Sequence, residues 1–81
     1  MQAFLVTFAS THAAMAFEDS FRGEGALVPV PPAVRAGCGM AWRFPAANEE
    51  EAYEKAATSA QSAGLSATDW ELHPLSPPVN P

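Results

Sequence analysis

The chain has 81 residues, a single cysteine, and four Lys or Arg against nine Asp or Glu, for a net charge of −5. That length supports one small domain, burying only about 60% of the surface its unfolded form exposes, and one cysteine leaves it no internal disulfide, as suits a reducing compartment. The acidic balance excludes a broad basic face for nucleic acid, and no stretch approaches the roughly 20 apolar residues of a membrane span.

In chain order, Gln2–Phe8 is apolar and rich in β-branched and aromatic residues, the length of a buried strand. It lacks a basic n-region, and polar Ser10, Thr11 and His12 cut the apolar run short, so no secretion signal is read and the expected location is cytoplasmic. Ser10 and Thr11 offer hydroxyls to cap a helix over residues 12–22. Within it Ala14, Met15, Phe17 and Phe21 recur at helical spacing, and Gly23 and Gly25 follow as its stop. Residues 26–30 read as a short second strand, and Pro29 inside it suggests a sheet edge. Pro31 and Pro32 stop that strand. A loop runs to Gly39, and residues 40–44 alternate as a third strand that Pro45 closes.

Asn48 and Glu51 have capping-box spacing at the head of a second helix, with Glu49, Glu50 and Glu51 in its positive first turn. Ala52, Ala56, Ala60 and Ala63 form a narrow face of small residues that fits closely against a sheet, with Tyr53 beside it and Gly64 as the C-terminal cap. Residues 68–72 alternate as a fourth strand, with Trp70 and Leu72 on one face. His73 and the prolines after it read as an extended tail. Residues 1–73 are thus expected to be one domain, and 74–81 a disordered proline-rich tail. For this length, the simplest compact arrangement of β-α-β-β-α-β is an α+β, ferredoxin-like sandwich, an antiparallel sheet with two helices on one face.

In that topology the first and third strands are antiparallel neighbours at the centre, so the start of the third lies beside the end of the first. Cys38, flanked by Gly37 and Gly39 at the entry to the third strand, is therefore expected near the N-terminus of the first helix. That end carries unpaired N–H groups and roughly half a positive charge, a setting that favours thiolate over thiol. Arg35 adds positive charge close by, and His12 offers a proton or hydrogen bond from the first turn. The amides of Gly37 and Gly39 can contact an anion or a terminal sulfur. The expected site is an exposed thiol on a flexible loop, suited to holding sulfur as a persulfide or to forming a transient disulfide.

Plainer readings stand beside these. Cys38 is then a small residue packed at a strand start, His12 bonds nearby backbone, and Arg35 is a solvated loop charge. Cys38, His12 and His73 lack the paired spacing of a structural zinc site, so no metal or cofactor is expected. The three glutamates serve the helix dipole and solubility, not acid–base catalysis. Trp42 and Trp70 read as sheet residues, either of which, if outward-facing, would help form a partner surface.

Three segments, taken in order and spacing, carry a resemblance: Phe4-Leu5-Val6-Thr7-Phe8-Ala9-Ser10-Thr11-His12, Leu27-Val28-Pro29-Val30-Pro31 and Ala36-Gly37-Cys38-Gly39-Met40-Ala41. Together they resemble the small "Putative Se/S carrier protein-like" family over roughly residues 2–72. The resemblance implies a carrier of sulfur or selenium, with Cys38 as the carrier thiol, Gly39 its partner, and Thr11 and His12 flanking it. The family pattern places an arginine directly after the proline stretch and small hydroxyl residues before the cysteine. Here those positions hold Pro32, Ala36 and Gly37, and the arginine stands at Arg35.

On this reading the chain is a carrier or accessory protein rather than a stand-alone enzyme. It takes sulfur from a protein donor resembling a cysteine desulfurase and relays it to a protein acceptor, with no nucleic acid or membrane partner. Two other classes stay open: a non-catalytic ferredoxin-like interaction or regulatory module with a structural cysteine, and a thiol redox sensor resolved by glutathione or a second protein.

Overall fold

The computed structural model describes residues 1–32, 34 and 37–75. Its elements are β1 (Gln2–Phe8), α1 (Thr11–Ser20), β2 (Ala26–Pro29), β3 (Met40–Ala46), α2 (Glu49–Ser62) and β4 (Trp70–Pro74). The strands form one antiparallel sheet in the order β2-β3-β1-β4, the ferredoxin-like sandwich that the element order implies. β1 and β3 are the central pair, in register from Gln2↔Ala46 to Thr7↔Ala41. β4 lies on the far side of β1 and β2 on the far side of β3.

Period-two alternation sets the core. Phe4, Val6 and Phe8 from β1 meet Trp42, Phe44 and Ala46 from β3 beneath the helices, and all six are buried. The helices fill this layer by different means. α1 contributes Phe17, whose ring centroid lies 5.2 Å from Phe8, 5.7 Å from Phe21 and 6.3 Å from Trp42. α2 contributes the methyl groups of Ala52, Ala56 and Ala60, so its backbone rides close to the sheet. Met15, expected on the apolar face of α1, is 52% exposed. The buried face runs through Ala13, Ala14 and Phe17, which turns position 15 outward.

Ser10 caps α1, its hydroxyl accepting the Ala13 N–H at 3.2 Å. The helix ends at Ser20, earlier than the glycines suggest, and Phe21 becomes extended (φ −73°, ψ 132°). That turn carries the Phe21 ring to 5.3 Å from Trp42 and 5.1 Å from Phe44. Apolar burial outweighs one more helical residue here.

At α2, Asn48 Oδ1 accepts the Glu51 N–H at 2.8 Å. Glu51 Oε1 reaches back to the Ala47 N–H at 2.6 Å, one residue upstream of the usual reciprocal bond. At the other end Gly64 adopts φ +77°. Its N–H bonds the Gln61 carbonyl and the Leu65 N–H bonds that of Ala60, a Schellman stop in which only glycine takes the left-handed position without strain. Asn48→Ala is expected to destabilise the domain by about 1 kcal/mol, read as a lower urea midpoint at unchanged slope.

Two expectations about prolines and the C-terminal strand need correction. Pro45 does not close β3, which continues to Ala46 with Pro45 opposite Ala3. β2 pairs with β3 only as far as Arg43, so one flank of β3 is open at Pro45 and a missing N–H is tolerated there. The fourth strand starts at Trp70 and extends to Pro74. A turn precedes it, in which Asp69 Oδ2 accepts the Ser66 N–H at 2.8 Å. His73 therefore belongs to the sheet and not to a tail. It sits opposite Leu5, with Nε2 3.1 Å from the Thr7 hydroxyl, and the Leu75 N–H bonds the Ala3 carbonyl. Of the expected tail, residues 76–81 lie outside the described residues.

Candidate functional site

β1 ends at Phe8, and after Ala9 and Ser10 the chain is already helical. Alongside, Gly37, Cys38 and Gly39 lead into β3, held by two backbone hydrogen bonds. The Cys38 N–H bonds the Phe8 carbonyl, and the Val30 N–H bonds the Gly39 carbonyl, each at 3.1 Å. The Val30–Gly39 contact continues the β2–β3 register. The Cys38–Phe8 contact does not continue the β1–β3 register, which would set Phe8 opposite Met40. The ladder is displaced at this point, beside the first turn of α1.

Cys38 is a free thiol. Its Sγ lies 3.7 Å from Thr11 Oγ1, in the first residue of α1, and accepts the Met40 N–H at 3.4 Å. The expected proximity of cysteine and helix start is thus present in the structure. Each of these polar groups can donate to the sulfur, and the positive end of the α1 dipole lies alongside. The expected exposure is absent, because Cys38 is 5% exposed and belongs to the same buried cluster as Phe8 and Trp42. Facing the helix layer, not solvent, is what buries it.

The two flanking glycines are not equivalent. A Cβ on Gly37 would overlap the Ala9 carbonyl oxygen and come within 3.0 Å of its carbon, so the backbones approach there as only glycine permits. A Cβ on Gly39 would meet nothing within 4 Å. Thr11 and His12 are both exposed. Thr11 touches the thiol, whereas His12 makes no hydrogen bond to it among the described residues. Arg35 lies outside the described residues.

Sequence reasoning missed a polar group on the sheet face away from the helices, where buried Thr7 bonds His73 and Glu71 Oε1 lies 3.7 Å from the same Nε2. Both partners address one nitrogen, so the trio is not a proton relay. The signal was available in Thr7 and His73, but only with the full length of β4 in view.

Fold and site together define a small α+β sandwich protein with one thiol at the β1–α1 junction. The chain belongs to the family described as "Putative Se/S carrier protein-like", whose family model matches residues 3–63. The match contains Thr11, His12, Cys38 and both glycines, and stops before β4. No curated protein and no solved structure matches the chain. Among the described residues no helix is long and apolar enough to cross a membrane.

Proposed function

We propose that the protein carries sulfur, or selenium in its place, on Cys38 and relays it between proteins, taking it from a donor of the cysteine desulfurase kind. The observation that supports this most directly is the set of donors around one sulfur: the Met40 N–H at 3.4 Å and the Thr11 hydroxyl at 3.7 Å, at the head of α1, in a chain of the Se/S carrier family.

In the loading step the Cys38 thiolate attacks the outer sulfur of a donor persulfide. A new S–S bond forms on Cys38, the donor's S–S bond breaks, and the donor cysteine leaves as a thiolate that takes up the proton Cys38 released. In delivery an acceptor thiolate attacks the carried sulfur, and Cys38 returns as the leaving thiolate. Electrons balance without an external oxidant or reductant. The thiolate is itself the nucleophile, so no separate acid or base is required, and neither His12 nor Arg35 is assigned a step. Thr11 and Met40 hold the charge that returns to the sulfur on delivery.

The test is incubation of the protein with a cysteine desulfurase and cysteine, followed by mass spectrometry under non-reducing conditions. The expected result is a gain of one sulfur mass on the peptide that contains Cys38, absent from Cys38→Ser. Thr11→Val is expected to slow loading roughly fivefold, the equivalent of one hydrogen bond of about 1 kcal/mol. If the wild-type chain gains no sulfur, the carrier reading fails and the cysteine is structural, as in an interaction module.

A further inference from the structure

We infer that the groove between α2 and β4 docks an extended, arginine-bearing segment of a partner protein along the outer edge of β4. The groove, of about 720 Å³, is walled by Glu49, Glu50 and Glu54 of α2 and by Trp70 and Leu72 of β4, and no Lys or Arg lines it; Glu71 borders it at the strand edge, its carboxylate turned to His73 on the opposite face. Tyr53 also lines it, with its ring centroid 5.7 Å from that of Trp70 and the two rings at 37°. Tyr53 is 55% exposed and stands outside the buried cluster. Carboxylates beside aromatic rings, here exposed Tyr53 and half-buried Trp70, are the chemistry that receives a guanidinium, by charge-assisted hydrogen bonds and by cation–π stacking.

The sheet supplies the second element. β4 is an outer strand and pairs with β1 alone among the described residues. Such an edge offers unpaired backbone groups to an added strand. Charge decides which strand: an acidic segment or a nucleic acid is repelled, and a second copy of this chain brings its own Glu71 and a net charge of −5 to the same edge. An apolar segment would cover the carboxylates without pairing them, which is unfavourable.

The groove also leads somewhere. A neighbouring hollow lined by Phe8, Ala9 and Gly37 shares Ala67, Trp70 and Glu71 with it. A chain laid along β4 therefore comes alongside Ala9 and Gly37, next to Cys38 in the chain, while the buried Cys38 side chain lines neither hollow. Docking stands on the groove alone; only its use by a sulfur donor or acceptor rests on the function proposed above.

The experiment is an NMR titration of the isotope-labelled full chain with a capped decapeptide of alternating arginine and valine. The expected result is saturable shifts at the Trp70 indole N–H and the amides of Tyr53, Glu71 and Leu72, with no response to the glutamate–valine counterpart. The triple variant Glu49→Gln, Glu50→Gln, Glu54→Gln, all exposed positions, is expected to bind at least tenfold more weakly, and Trp70→Ala to lose the groove shifts. Absence of groove shifts at millimolar peptide, or equal binding by the triple variant, overturns the proposal. Loading of Cys38 by the desulfurase, measured on the same triple variant with the peptide absent, separates a failure of docking from a failure of the carrier reading.

Discussion

Phe17→Ala is expected to lower the free energy of unfolding by about 3–5 kcal/mol, measured as a fall in urea midpoint with the slope retained. Phe17 is 0% exposed and shares its buried position on α1 only with Ala13 and Ala14. Two methyl groups cannot anchor a helix of 10 residues, so the attachment of α1 to the sheet rests on this ring and its contacts with Phe8, Phe21 and Trp42. The rings around the gap are held by β1, by β3 and by the extended residue that caps α1, and cannot all collapse into it. A domain of this length has about 4–12 kcal/mol of stability in total, so the variant stands near the edge of unfolding at room temperature. A loss below about 1 kcal/mol would mean that α1 is held mainly by other contacts, the Ser10 cap among them.

The fold was legible wherever one residue's own chemistry decides the outcome. β1 could be bounded from its run of aromatic, aliphatic and β-branched residues because it is buried on both faces: Leu5 and Thr7, on the side away from the helices, are 1% and 3% exposed. α2 could be bounded because Asn48 and Gly64 act locally, one through its side chain and the other through its permitted φ. The errors fall where a distant neighbour decides. Proline reads as a stop, yet Pro45 and Pro74 both lie within strands, because what matters is whether a neighbouring strand asks for the missing N–H. Phe21 reads as helical, and it leaves the helix because Trp42 and Phe44 lie within reach.

The site divides in the same way. Topology alone places Cys38 beside the start of α1, since the central strands of this fold run antiparallel. Burial of the thiol follows from the displaced ladder at Phe8 and from the side chains around it, which no spacing in the sequence encodes. Two glycines flanking a cysteine look alike in one dimension; only the approach of Ala9 separates Gly37 from Gly39. The Tyr53–Trp70 pair was similarly hidden. Each residue had a plausible place on its own element, but their meeting depends on how α2 crosses β4.

That difference between the glycines gives the second large effect. Gly37→Ala is expected to cost about 1–3 kcal/mol, the usual range for atoms forced into a space already filled, while Gly39→Ala stays within about 0.5 kcal/mol. At Gly37 the new methyl group meets backbone, which cannot rotate aside as a flexible side chain does. Ala9 is held in place by its own N–H bond to the Asp69 carbonyl at 2.9 Å, and Cys38 by its bond to Phe8. Relief therefore comes from moving the 37–38 backbone away from α1, which stretches the contact between Sγ and Thr11. Two readouts should then move together: a lower urea midpoint, and faster alkylation of Cys38 under native conditions as the thiol is uncovered. Gly39→Ala should leave both at the wild-type value. Equal behaviour of the two variants would show that Gly37 tolerates a side chain and that close backbone approach is not what positions the thiol.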